Sequence, residues 1–147
     1  MKTSHAALIL AAMGAAHLVQ KHLHQRQQNE VAVARIQNDW LTHLTTHPDF
    51  AQLWAPKDMD VKEYVQLLHA NQQICALSLR HQLGLIRGSR LRFIAKAVME
   101  KEIGRRYWAK FGSFREEEAA GDKLAERFTA ALHDAYVAHP DTQPVGV

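Results

Sequence analysis

AALILAAMGAAHLVQKHLHQRQQNEVAVARIQNDWLTHLTTH, residues 6–47, changes character twice without losing its suitability for helix. Residues 6–16 carry no polar side chain, and after His17 the apolar character resumes only at Leu18 and Val19. From Lys21 to His47 there is neither Gly nor Pro, and the run of Gln, Arg and Ala favours one continuous helix. Residues 21–32 are mostly polar and predict a solvated stalk, after which Val33, Ile36, Trp40 and Leu44 recur at helical spacing as a stripe expected to pack.

The apolar opening admits three readings. Residues 6–19 as a helix span about 21 Å, against a hydrocarbon core of about 30 Å. A membrane segment built on Leu8, Ile9, Leu10, Met13, Leu18 and Val19 is therefore short, and needs local thinning with Lys2 and Lys21 snorkelling. In a single-pass anchor, Lys21, Arg26 and Arg35 outnumber Lys2, so the following body faces the cytoplasm, with His17, His22 and His24 on the same side. A signal peptide would use Lys2 as its basic start, residues 6–13 as its core and Gly14-Ala15-Ala16 as its cleavage site. A helix packing within the protein or against another copy is the third reading.

Downstream, no segment alternates apolar and polar residues long enough to form a strand. The expected fold is all-α, an irregular bundle of four or five main helices preceded by the long N-terminal helix. The division expected is an apolar segment over 1–20, a polar stalk over 21–32, a bundle over 33–140 and a flexible tail over 141–147. Pro48 starts a short turn ended by Pro56. Asp60 with Glu63 has the spacing of a capped helix start, and Gly84 a natural stop. Gly88 and Ser89 recap a helix expected to end at Gly104, and Ser113-Phe114-Arg115-Glu116 reads as a further capping box, which places Glu116, Glu117 and Glu118 in a first turn. Asp122 begins the last helix.

The chain of 147 residues carries a formal charge of +3, too small a surplus to indicate a nucleic-acid binder. Its distribution is uneven. Ten Lys and Arg between Arg80 and Arg115 oppose only Glu100 and Glu102, a local balance of +8, whereas residues 116–147 balance at −5. Packed helices would let these blocks neutralise each other. Cys75 is the only cysteine, which rules out an intrachain disulfide and is the expectation for a buried structural thiol.

Motifs of catalysis and cofactor binding do not stand out. His43 and His47 are four apart, but two imidazoles lack the further ligands of a zinc or di-iron centre, so no metal or other cofactor is expected. The glycines are too dispersed for a nucleotide loop, and Ser4, Ser78, Ser89 and Ser113 lack a nucleophile setting. An enzyme is not expected unless Tyr64, Asn71, Arg92 and Arg106 converge in one cleft. Arg87-Gly88-Ser89-Arg90-Leu91-Arg92 joins two helices, and with Lys96 it supports the alternative of a soluble regulator binding nucleic acid over residues 87–96. Anionic lipid headgroups are a simpler partner for those cations. The leading expectation is a membrane-tethered or self-associating helical interaction protein whose partner is another protein or its own copy.

Gly104-Arg105-Arg106-Tyr107-Trp108, with His47-Pro48-Asp49-Phe50, residues 64–71, Gly84, Leu91-Arg92 and residues 128–136, resembles an actinobacterial family catalogued as domain of unknown function 6082. The resemblance covers roughly residues 28–138. It implies a short N-terminal membrane segment followed by a helical cytoplasmic body, and it implies no activity. Read physically, this block is a corner at which Gly104 reverses the chain and Tyr107 and Trp108 bury their rings. Arg92, Arg105, Arg106, Tyr107 and Trp108 are the candidate partner-binding residues, because aromatic and arginine side chains dominate interface hot spots.

Overall fold

A computed structural model describes residues 2–141, with side chains from Ala6 onward; the expected tail lies outside the described residues beyond Asp141. The described chain is helical throughout, in six helices: α1 (Lys2–Thr46), α2 (Pro48–Trp54), α3 (Val61–Gln82), α4 (Gly88–Glu100), α5 (Glu102–Ala119) and α6 (Lys123–Ala138). No strand occurs among the described residues. α2 is a short helix of seven residues begun by Pro48, so the bundle proper is built from α3 to α6, with the end of α1 laid against it.

Local chemistry sets most of the boundaries. Asp60 caps α3 by accepting from the Lys62 amide at 3.1 Å, while Glu63, the expected reciprocal partner, is drawn instead to Arg106 at 2.6 Å. Asp122 caps α6, accepting from the amides of Leu124 and Ala125 at 3.0 and 3.2 Å. Gly84 ends α3 at a φ of 78°, a backbone region that side chains with a Cβ disfavour.

Three expectations are corrected. Gly104 does not end α4: the chain turns at Lys101, and Gly104 is a buried residue in the first turn of α5, pressed against the Val98 carbonyl. Ser113-Phe114-Arg115-Glu116 is not a cap but the interior of α5, which runs unbroken to Ala119. Glu116, Glu117 and Glu118 therefore sit in the last turns, where the helix dipole disfavours acids. Both errors have one origin. Glycine and serine are read as punctuation when seen in one dimension, whereas here the backbone keeps its helical hydrogen bonds because Tyr107, Trp108 and Ala119 on the same helix are pulled into the core.

The third correction concerns α1. Val33, Ile36 and Trp40 are exposed at 64, 70 and 48 %, and Leu41 and Leu44 are the residues that pack. The face of α1 turned to α3 is largely polar: Gln72 donates to Asn38 Oδ1 at 2.7 Å and to Thr42 Oγ1 at 2.9 Å, and Gln37 donates to Cys75 Sγ at 3.6 Å. These bonds fix an antiparallel register of α1 on α3. Leu41, Leu44 and Leu68 form a small apolar cluster beneath them, separate from the main core of Leu67, Ile74, Ile86, Met99, Trp108, Phe128 and Leu132.

α1 is one unbroken helix, with no change of structure at residue 20 or 32. All of residues 6–29 are exposed, so the apolar opening touches none of the bundle. By length and composition this helix is able to cross a membrane.

Candidate functional site

A polar cluster joins α3 to α5 beneath α1. Asn71 and Cys75, one turn apart, share a face of α3, and Tyr107 and Arg115, two turns apart, meet them from α5. The Arg115 guanidinium donates from Nη2 to Asn71 Oδ1 at 2.6 Å and to Cys75 Sγ at 3.1 Å, and from Nε to the Tyr107 hydroxyl at 3.0 Å. Tyr107 in turn donates to Asn71 Oδ1 at 2.6 Å. None of these acceptors is a carboxylate. Among the described residues Arg115 has no carboxylate within ion-pair distance, and its Nη1 has no hydrogen-bond partner.

Electrostatics favour the charged guanidinium and the protonated phenol. Burial lowers the proton affinity of the Arg115 guanidinium, but Tyr107 and Cys75 beside it more than offset this and keep it above its usual range. Burial pushes the Tyr107 phenol up, with Arg115 pulling weakly the other way. Because the folded state holds the Tyr107 proton more tightly than the unfolded chain, its contribution is intact below pH 10 and is lost as the pH rises from there through the raised folded value. Stability of the wild type should fall on alkaline titration above pH 10, and Tyr107→Phe, which costs about 1 kcal/mol at neutral pH, should flatten that fall; equal alkaline slopes in denaturant titrations would refute it.

The cluster opens on a groove of about 800 Å³ between α1 and the bundle. Val31, Ala34 and Leu41 of α1 form one wall, and Leu79, Ala119 and Phe128 face them. Arg26 and Glu30, paired at 3.4 Å, stand at one end, and Arg35, Glu118 and Asp122 also line it.

The residues singled out from the sequence scatter. Tyr107 and Trp108 are buried at 4 and 3 % exposure, so they offer no face to a partner, and their rings serve the core. Arg105 turns back to cap α4, donating to the carbonyls of Met99 and Glu100 at 2.7 and 3.1 Å. Arg106 is half-exposed against Glu63, and Arg92 is exposed on α4 beside a different cleft. Tyr64, Asn71, Arg92 and Arg106 do not share one cleft: neither groove has Tyr64, Asn71 or Arg106 in its lining. The His43 and His47 rings stack 4.4 Å apart and continue onto Phe50 at 4.9 Å, within an exposed aromatic patch where Trp40 meets Trp54 edge-on at 5.9 Å. Among the described residues no three of His, Cys, Asp and Glu gather as metal ligands.

Arg115 escaped attention because the supposed capping box assigned it to an exposed first turn. The signal that reveals it is the pairing of Tyr107 with Arg115 and of Asn71 with Cys75, each on one helix face, which carries weight only once α3 and α5 are known to be neighbours. The expected neutralisation between the basic and acidic blocks is also sparse: among the ion pairs of the described residues, only Arg105 with Asp141, at 3.9 Å, joins the two blocks, while His133 with Glu116, at 3.0 Å, pairs within the acidic one. Arg87, Arg90, Arg92 and Lys96 take part in none.

A family model described as a family of unknown function, DUF6082, matches residues 2–146. No curated protein and no solved structure matches the chain.

Proposed function

Since the chain belongs to that family of unknown function, we propose from its own geometry that it is a membrane-tethered helical interaction protein. The single observation supporting this is that residues 6–29 of α1 are all exposed while residues 41 and 44 of the same helix are buried on α3. Leu8, Ile9, Leu10, Met13, Leu18, Val19 and Leu23 are each more than half exposed, an apolar surface that water does not tolerate cheaply in an isolated chain. The bilayer is its natural solvent, with Lys21, Arg26 and Arg35 holding the body on the cytoplasmic side. A protein partner or a second copy then meets the exposed stripe of Val33, Ile36 and Trp40, which runs into Phe50, Leu53 and Trp54 of α2.

Fractionation of the tagged full-length chain tests the tether. It should pellet with membranes and resist salt and alkaline washes, and deletion of residues 2–19 should release a soluble domain of unchanged thermal stability, because residues 6–19 are exposed and outside the core clusters. A full-length chain that is soluble and monomeric overturns the reading. A soluble oligomer that becomes monomeric on the deletion replaces the tether with self-association through α1.

A further inference from the structure

At the end of the bundle where α3 runs into α4, a second cleft of about 670 Å³ lies between the start of α4 and α6. Arg87 and Arg92 line it from the α4 side and Arg127 from α6, against Asp134 as the one acid among its lining residues. None of the three arginines forms an ion pair with a described residue. α4 starts here without a side-chain cap, because the cap position is Arg87, which has donors only. Its first amides and the positive end of its dipole therefore add to the arginine charge.

His81 forms part of the wall of the same cleft. His81 is only 5 % exposed, and its Nδ1 lies 2.7 Å from the Ile86 carbonyl. A carbonyl only accepts, so Nδ1 carries the proton. Nε2, on the far edge of the ring, is buried without any hydrogen-bond partner, the only such side-chain atom among the described residues. With its proton on Nδ1 the ring offers only an acceptor at Nε2, which is shut off from the cleft, so His81 walls the site while the arginines and the first α4 amides supply its donors.

The register of α1 on α3 places this end toward the tether. Gln37 pairs with Cys75, and Gln82, seven residues further along the antiparallel α3, shares a groove with Arg26. The turn after Gln82 thus lies near the level of residues 26–30. From Leu23 to Glu30 α1 rises about 10 Å, comparable with the roughly 5–8 Å headgroup layer of one leaflet. Leu85 in that turn and Phe93 beside Arg92 are exposed at 61 and 73 %. Cations interleaved with exposed apolar side chains suit the headgroup boundary.

We propose that the cleft formed by Arg87, Arg92, Arg127 and the start of α4 binds a phosphate group, that of an anionic phospholipid headgroup in the membrane holding α1. The lipid as source rests on the tether reading, whereas the phosphate chemistry of the cleft does not. Binding docks the body onto the bilayer by its α3–α4 turn and turns the α1–α2 aromatic patch to the side.

The full-length chain in nanodiscs of phosphatidylcholine, with and without phosphatidylglycerol, provides the test, read by hydrogen–deuterium exchange over residues 84–93. Phosphatidylglycerol should slow exchange there by about tenfold or more. Arg87→Gln/Arg92→Gln/Arg127→Gln should abolish the protection with helicity unchanged, and Arg90→Gln, outside the cleft lining, should keep it. Inorganic phosphate in buffer is the second arm: protection of the same residues by phosphate but not by lipid supports the cleft and assigns a free phosphate compound as its source. Protection by neither probe, loss of protection equally in Arg90→Gln, or stronger protection by a DNA duplex than by either probe overturns the proposal. A chain that fails to enter nanodiscs sinks the tether alone, because the phosphate arm still reads the cleft.

Discussion

Trp108→Ala should lower the unfolding free energy by about 3–5 kcal/mol, the usual cost of removing a buried tryptophan and leaving its cavity. The indole is 3 % exposed, and it belongs to the core cluster shared by α3, α4, α5 and α6. Such a loss is a large part of the about 5–15 kcal/mol that ordinarily separates folded from unfolded states. Denaturant unfolding should show a lower midpoint at nearly unchanged slope. Gly112, one turn along α5, checks the geometry. A Cβ there would stand 2.8 Å from the indole Nε1, so Gly112→Ala should destabilise the wild type, and it should cease to do so in the Trp108→Ala background. Independent, additive effects would contradict this packing.

Gly104→Val should cost about 3 kcal/mol, at the upper end of ordinary overpacking. A side chain at this position meets the Val98 carbonyl, which is backbone and cannot swing aside, and the single-residue corner at Lys101 holds α4 and α5 at that separation. Gly104→Ala distinguishes two opposing effects. Helix propensity alone would make alanine more stable by about 1 kcal/mol, whereas the clash with Val98 predicts net destabilisation. A thermal midpoint above the wild type for Gly104→Ala would show that the corner relaxes freely.

The all-α class was legible because periodicity and composition act locally. The caps at Asp60 and Asp122, the stop at Gly84 and the short turn at Pro48 follow from the same short-range chemistry. Misreadings cluster where a residue has both a local and a tertiary meaning. Gly104 looks like a stop and is a close-approach residue; Ser113 looks like a cap and lies mid-helix; Val33, Ile36 and Trp40 look like a core stripe and face outward. In the last case Gln37, Asn38 and Thr42 face α3, because Gln72 and Cys75 answer their polar groups.

Both clefts were hidden for a related reason. Arg115 takes its meaning from Asn71, Cys75 and Tyr107, which lie 44, 40 and 8 residues away along the chain. The unmatched Nε2 of His81 becomes visible only when its surroundings are built.

By itself, the sequence of this protein determined that it is helical, that residues 6–16 carry no polar side chain, and that its cations concentrate between Arg80 and Arg115. Tertiary structure alone decided which face of α1 is covered, that residues 6–29 are all exposed, and which arginines gather around a cleft. The physical reason is one of range: hydrogen bonds along a helix and the preference of residues for it are settled within a few positions of the chain, whereas burial and charge pairing depend on neighbours that only the packed helices bring together.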